Sequence, residues 1–319
     1  MAERERQRGA RPSGPVERVS APQPPAAGPS TTLAALVAEM AGVLASGRAR
    51  GEYADPAREA RELVAALHDQ PRFWASLYPD LAVSADERRT AMAATARRAS
   101  GAPLAYAVGR ASFRHLVLRV DERVLIPRPE TEQLVELALA LVGDAAGGTA
   151  VDVGTGSGAI ALALASEGTF DRVIATDLSS DALAIAATNR DRLQSLLRAP
   201  VELRRGSLLD PVPERSVTCI VSNPPYIAFE EAPALPAAVR DWEPAVALYS
   251  PGEGLALTAR LVRQAASRLV PGGVLALEVD ARRAGLVAEA VSSDRRYEDV
   301  TVTLDLFGRE RFVAARRAR

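Results

Sequence analysis

Lysine is absent from this 319-residue chain, so all 39 of its basic residues are arginines. The absence excludes a Schiff-base lysine, a lysine general base and the lysine of a phosphate-binding P-loop. Cysteine and histidine are scarce as well, with only Cys219, His68 and His115 in the whole sequence. These three residues cannot form an internal disulfide or a zinc site of the usual ligand spacing, so no metal site is expected. Cys219 lies inside an apolar run, which favours a packing role over a reactive thiol.

Neither sign of charge is in excess, because 39 basic residues stand against 40 acidic ones and the formal net charge is -1. A balanced chain has no general attraction to nucleic acid or to an acidic membrane. The sequence also lacks an apolar stretch of membrane-spanning length and the apolar region of a signal peptide. A soluble, cytoplasmic protein is therefore expected. With 48% hydrophobic residues, a chain of this length can form one large domain and a smaller one.

Residues 1–30 are predicted to form a disordered tail, since they are rich in Arg, Pro, Ala and Gly and have few side chains to bury. An organellar transit peptide is the alternative. Such peptides are poor in acidic residues, whereas this segment contains Glu3, Glu5 and Glu17.

Residues 31–106 are predicted to form a small N-terminal helical domain. Apolar stripes at helical spacing follow Thr32, Asp55 and Ser84, which are suitable residues for the starts of three helices. Glu87 lies three residues after Ser84 and completes a capping-box pattern. A role in docking a substrate and a purely stabilising role both remain open for this domain.

The segment 107–127 is predicted to be a hairpin linker. Alternating apolar residues place the hairpin over Phe113 to Ile126, with its turn at Asp121-Glu122. Residues 128–319 then alternate between helix and strand patterns, which predicts a doubly wound α/β sheet with a second hairpin at its far edge. The insert between Tyr226 and Gly254 is long and proline-rich, so it is a candidate lid or substrate loop.

A strand, a glycine-rich loop and a helix follow one another from Ala150 to Ala165. Glycines let the backbone pass close beneath a ligand, and the helix behind them offers unpaired N–H groups. Asp177 ends the next strand, where a carboxylate can bind both hydroxyls of a ribose. The loop also satisfies a dinucleotide fingerprint, but Asp152 beside it would repel a pyrophosphate and tolerate the cationic end of S-adenosylmethionine. The pattern predicts an adenosine-bearing cofactor and favours S-adenosylmethionine.

A second chemical signal is the apolar strand that stops at Asn223, Pro224, Pro225 and Tyr226. Neither proline can donate to a β-ladder, so the strand must end there, at the edge where open α/β sheets bind ligands. The Asn223 side chain and the Pro224 carbonyl offer two rigid acceptors for a planar NH2 group, and Tyr226 offers a flat face beside it. A strand-ending turn without chemistry is the alternative for this tetrapeptide taken alone.

Taken together, these signals resemble the protein-(glutamine-N5) methyltransferases that modify the GGQ glutamine of peptide chain release factors. The similarity extends from about Leu104 to Val313, with RPETE upstream of the glycine loop and NPPY downstream as its most discriminating pair. The other matching segments are VDVGTGSGAIALALA, the acidic strand end at Asp177, WEPAVAL and DLFGRERFV. The resemblance implies a class I methyltransferase Rossmann-like fold, S-adenosylmethionine as cofactor and the GGQ loop of a release factor as partner. A monomer is expected, although the sequence itself does not give the oligomeric state.

Individual residues are assigned roles by this resemblance. Asn223, Pro224 and Tyr226 would be catalytic, and Pro225 would complete the glutamine pocket with them. Cofactor contacts are expected at Gly154, Thr155, Gly156, Ser157, Gly158, Asp177, Leu208 and Asn223. The chain departs from the family at Ser207-Leu208, where relatives often have an acidic residue and an aromatic. It also has Arg283 where a glutamine is common.

Other functions use parts of the same pattern. An adenine-N6 nucleic-acid methyltransferase would present a similar NH2 group, but the arginines form no stripe with interleaved aromatics. A glutamine methyltransferase acting on a ribosomal protein would share NPPY and differ in the RPETE stretch. A binding module without catalysis would not explain why the glycine-rich loop, Asp177 and the Asn223–Tyr226 corner occur together. An NAD-dependent oxidoreductase would have no use for that corner.

Overall fold

The computed structural model describes residues 31–48, 55–143, 147–213 and 216–319. The predicted tail, residues 1–30, lies outside this range. The N-terminal helical region is confirmed, with the expected caps at Thr32, Asp55 and Ser84 and with the predicted capping box. Its elements are β1 (Thr31–Thr32), α1 (Leu33–Ser46), α2 (Pro56–Leu67), α3 (Trp74–Leu77), β2 (Ala82–Val83), α4 (Ala85–Ala99) and α5 (Leu104–Val108).

The hairpin that follows exists, but its predicted turn was wrong. Its strands are β3 (Arg110–Phe113) and β4 (Leu116–Arg119), so the chain turns at Arg114 and not at Asp121-Glu122. Arg114 adopts a left-handed backbone with φ 51, which is uncommon for a side chain larger than glycine. Its backbone N–H donates to Glu132 and its guanidinium donates twice to Glu167. These distant partners stabilise a turn that local sequence does not favour.

The remaining elements form the predicted doubly wound sheet. Five strands are parallel and the last two form the antiparallel hairpin at the edge, in the order β10-β11-β9-β8-β5-β6-β7. The strands are β5 (Thr149–Val153), β6 (Arg172–Asp177), β7 (Val201–Arg205), β8 (Val217–Ser222), β9 (Leu269–Glu278), β10 (Tyr297–Leu304) and β11 (Glu310–Arg317). The helices are α6 (Pro129–Val142), α7 (Ala159–Glu167), α8 (Ser180–Leu193), α9 (Ala237–Arg240), α10 (Ala245–Leu248), α11 (Ala256–Arg268) and α12 (Ala284–Ser293).

The core lies on both faces of this sheet, because α6 and α7 cover one face and α11 and α12 cover the other. The β3–β4 hairpin packs on the first of these layers through Phe113, Leu116 and Leu118, all of which are fully buried or nearly so. Burial of such side chains stabilises each by about 1.5 to 3 kcal/mol relative to exposure. The hairpin is therefore fixed to the sheet, close to the start of α6.

Candidate active site at the carboxyl edge of the sheet

Strand register brings the predicted site residues into one row. Val153 of β5 pairs with Thr176 of β6 on one side and with Ser222 of β8 on the other, and Ser222 pairs with Leu277 of β9. The residues that follow these four positions therefore lie side by side at the carboxyl ends of adjacent strands. They are Asp177, Gly154, Asn223 and Glu278.

The glycine loop after β5 is held open for a ligand. Gly154 and Gly156 have φ values of 75 and 54, and a Cβ atom at either would meet no atom within 4 Å. The N–H of Gly156 donates to Asp177 Oδ2 at 2.9 Å, while Oδ1 of the same carboxylate accepts from the Ser179 N–H at 2.9 Å. Burial raises the pKa of Asp177. Asp177 thus joins the loop to the start of α8 and presents its carboxylate at the loop.

Asp152 lies beneath this loop and is fully buried. Its Oδ2 accepts from the Thr155 hydroxyl at 2.6 Å and from the Ala161 N–H at 3.0 Å. Burial raises its pKa to about 7. Asp152 was expected to act on the ligand through its charge, but its hydrogen bonds lie within the loop and the first turn of α7. Its main contact role is to hold the loop in shape.

A cavity of about 140 Å³ opens above the loop. Of the predicted cofactor residues, those on its wall are Gly154, Gly156, Asp177, Leu208 and Asn223. Thr155 and Ser157 are buried and do not line this cavity, and the Ser157 carbonyl accepts a hydrogen bond from Asn189. Contact of a cofactor with Thr155, Ser157 or Gly158 stays a prediction. A carboxylate beside bare glycine backbone in a largely apolar cavity fits a ribose diol and its attached base.

A smaller cavity of about 90 Å³ adjoins the first at the NPPY corner. Asn223 and Pro225 line both cavities, while Pro224, Tyr226 and Arg128 line only the smaller one. Within the described part of the chain, neither Oδ1 of Asn223 nor the Pro224 carbonyl accepts a hydrogen bond. Asn223, whose Oδ1 is free, therefore lies where the cavities meet, and Pro224, whose carbonyl is free, lies beside the smaller cavity.

The NH2 group of Asn223 is engaged. Its Nδ2 donates to the hydroxyl of Thr131 at 3.1 Å, and that hydroxyl donates to Oε2 of Glu278 at 2.7 Å. Burial raises the pKa of Glu278 to about 7, although the Thr131 hydrogen bond and the nearby Arg311 oppose the shift. Sequence reasoning did not single out Thr131 or Glu278; RPETE was recognised only as a family motif.

The insert after the corner folds back over both cavities. Pro244 and Val246 line the larger one, Leu248 lines the smaller one, and Ala247 lines both. Glu243 is buried and forms an ion pair with Arg128, so the WEPAVAL and RPETE segments meet in the structure.

Arg283 explains one departure from the family pattern. It is 6% exposed, and its Nε donates to the Glu253 carbonyl at 2.6 Å. Its two terminal nitrogens donate to Glu231 and to Asp280. Arg283 therefore ties two points of the insert to the end of β9, a role that sequence alone did not reveal.

Titratable groups near the corner are few. Burial, together with the charge of Glu278, raises the pKa of Tyr226 to about 12, so its phenol stays protonated at neutral pH. Cys219 is buried, which raises the pKa of its thiol to about 12 and confirms its packing role. Among the described residues, no group of three His, Cys, Asp or Glu side chains could hold a metal ion.

Comparison with known proteins identifies the family. The Methyltransferase small domain model matches residues 133–236, and the PrmC N-terminal domain model matches residues 44–109. The release factor glutamine methyltransferase of Gloeobacter violaceus is 42% identical over 66% of this chain and 73% of its own length. The chain belongs to the release factor glutamine methyltransferase family. The enzyme of the same name from Streptomyces coelicolor is 39% identical over 82% of this methyltransferase and 92% of its own length. That from Cereibacter sphaeroides is 42% identical over 82% of this methyltransferase and 91% of its own length.

Family membership confirms the resemblance, the class I methyltransferase fold and S-adenosylmethionine as cofactor. Which residues bind it stays a prediction, and those on the wall of the larger cavity are the candidates. None of the helices in the described ranges is long and apolar enough to cross a membrane.

Proposed function

We propose that this methyltransferase methylates the side-chain amide nitrogen of the GGQ glutamine of peptide chain release factors. The observation that carries the proposal is a pair of free acceptors: Asn223 Oδ1, on a residue that lines both cavities, and the carbonyl of Pro224, which lines the smaller cavity. The smaller cavity would take the glutamine side chain and the larger one the cofactor. Relatives named release factor glutamine methyltransferase at about 40% identity support this substrate.

The residues at the corner would overcome the low reactivity of an amide. An amide nitrogen is a poor nucleophile because its lone pair is delocalised into the carbonyl. Bound S-adenosylmethionine supplies a methyl group on a cationic sulfur. Asn223 and Pro224 would accept the two N–H groups and so turn the lone pair toward the larger cavity. Tyr226 stays protonated and is not a base, so the proton that the nitrogen loses would leave through these acceptors or water.

The substrate class is tested by methyl transfer from labelled S-adenosylmethionine to purified release factor, to that factor with its GGQ glutamine replaced, to ribosomal protein and to DNA. We expect transfer to the unaltered factor alone. Transfer to DNA would favour the adenine-N6 alternative, and equal transfer to the glutamine variant would place the modified residue elsewhere. Because remote contacts supply orientation, folded release factor should exceed a short GGQ peptide in kcat/KM. Light scattering tests the further proposal that the enzyme is a monomer.

Asp177→Ala is expected to weaken S-adenosylmethionine binding by roughly tenfold to over a hundredfold. The loss removes a charged acceptor, and hydrogen bonds to charged groups contribute about 1.5 to 3 kcal/mol. Isothermal titration calorimetry measures the change. Asp181→Ala, an exposed acid in the first turn of α8, is the matched control and should bind as the unaltered protein does. Unchanged affinity in Asp177→Ala would remove Asp177 from the cofactor site.

A further inference from the structure

Three side chains at the corner, Asn223, Thr131 and Glu278, are joined in series by hydrogen bonds. Asn223 directly follows β8, Thr131 lies in the first turn of α6, and Glu278 is the last residue of β9. Their hydrogen bonds run in one direction, from Asn223 Nδ2 to Thr131 Oγ1 and from that hydroxyl to Glu278 Oε2. We propose that Thr131 and Glu278 are positioning residues that fix the direction of the Asn223 carboxamide, so that its oxygen and not its NH2 faces the substrate. The inference rests on the proposed function.

The number of protons on each group fixes the direction of these hydrogen bonds. A threonine hydroxyl has one proton and two lone pairs, and an ionised carboxylate can only accept. When Glu278 is ionised, the Thr131 hydroxyl donates to it across 2.7 Å, so toward Asn223 the hydroxyl can only accept. The group of Asn223 that faces Thr131 must then be the donor, which is Nδ2.

A reversed carboxamide would fail on both sides. Asn223 Oδ1 would face a lone pair of the Thr131 hydroxyl, leaving two acceptors opposed. On the other side, the NH2 of Asn223 would meet the NH2 of the glutamine, donor against donor. Thr131 is 5% exposed and Glu278 is 2% exposed, so bulk water does not reach this pair to satisfy a reversed arrangement.

The two supporting groups are themselves held by rigid elements. Thr131 and Glu278 are 147 positions apart in sequence and meet because α6 packs along β9. Arg311 of the edge hairpin and Arg128 contribute positive charge near Glu278, and Glu130 contributes negative charge. A test at pH 8.5 keeps Glu278 ionised, since that is above its raised pKa of about 7.

The Asn223 carboxamide can be observed directly by NMR, because the chain contains so few asparagines. Asn189 and Asn223 are the only asparagines in the sequence. Selective 15N labelling of asparagine therefore gives two side-chain NH2 signals, which Asn223→Ala assigns. Asn189 donates to Arg119 and Ser157 carbonyls, away from the corner, and serves as an internal reference.

Thr131→Val keeps the shape of the side chain and removes the hydroxyl. We expect it to move the Asn223 NH2 signal and to leave the Asn189 signal in place, whereas Thr131→Ser should restore the unaltered position. An Asn223 signal that does not move in Thr131→Val would overturn the inference, whatever the activity. This readout needs neither cofactor nor release factor, so it separates failure of the inference from failure of the proposed function.

Single-turnover methyl transfer to folded release factor gives the functional counterpart. Thr131→Val should transfer about ten- to a hundredfold more slowly, since a misplaced catalytic group costs factors of this size, and Thr131→Ser should recover most of the rate. In the Asn223→Ala background the same change should have almost no effect, because Thr131 would act only through Asn223. Additive effects in the double variant would contradict the positioning role, and absence of transfer by the unaltered enzyme would instead refute the proposed function.

Discussion

Asn223→Ala should lower the rate of methyl transfer by about 10² to 10³, the cost of losing one preorganised hydrogen bond in a transition state. The change deletes a free acceptor at the meeting point of the two cavities. It leaves β8, both prolines and the glycine loop in place, so folding should survive. Single-turnover transfer at saturating S-adenosylmethionine measures the chemical step, and circular dichroism confirms the fold. Transfer at the unaltered rate would remove Asn223 from the catalytic machinery.

Asn223→Asp separates accepting from donating. Aspartate keeps an oxygen toward the substrate but replaces the NH2 that contacts Thr131 with a second oxygen. If Asn223 works by accepting from the glutamine amide, the aspartate variant should transfer faster than the alanine variant, and its added charge should tighten binding of the cationic cofactor. If Asn223 works by donating, the order of the two variants reverses. The unoccupied Oδ1 favours the first outcome.

Much of the fold follows from local patterns in the sequence. Apolar periodicity and capping residues located α1, α2 and α4, and the strand that stops at Asn223 was recognised because two prolines cannot extend a ladder. The turn of the β3–β4 hairpin was misplaced because its stability depends on distant carboxylates. Glu132 and Glu167 hold Arg114 in a backbone conformation that no local preference selects. Partners this distant in sequence cannot be predicted from the residues adjacent to the turn.

Some residues of the site could likewise be predicted from local sequence, and others could not. Gly154, Asp177 and Asn223 could be found from the sequence because each lies at or directly after the end of an apolar strand, where its residue type interrupts the apolar run. Thr131 and Glu278 could not, since a threonine in a helix and a glutamate at a strand end are ordinary until register brings them together. Thr131 was covered only by the family motif RPETE, and Glu278 by no signal at all. The hydrogen bonds from Asn223 to Thr131 and from Thr131 to Glu278 connect both residues to the corner.

Gly254, at the far end of the insert, packs directly against the backbone of Tyr226 at the corner. Its φ is 85, and a Cβ atom there would lie 2.0 Å from the backbone oxygen of Tyr226 and 2.6 Å from Nε of Arg283. Real Cβ atoms essentially never approach another atom within 3.0 Å. The Arg283 side chain cannot yield freely, because it is buried and bonded to Glu253, Glu231 and Asp280. The Tyr226 peptide, the backbone at position 254 or both must therefore move, which alters the contact between the insert and the corner.

Gly254→Ala should accordingly lower methyl transfer by about 10²-fold, because a shift of about 1 Å in a positioned catalytic group costs a factor of that size. Gly252→Ala is the matched control. It also has a positive φ, 62, but its Cβ would meet nothing closer than Ala256 at 3.5 Å. Backbone strain should cost each variant about 1 to 3 kcal/mol of stability, measured by urea unfolding. Gly254→Ala should lose more than Gly252→Ala because of its added clash, and only Gly254→Ala should lose single-turnover rate. Equal loss of rate in the two variants would assign the effect to the conformation of the insert and not to displacement of the corner.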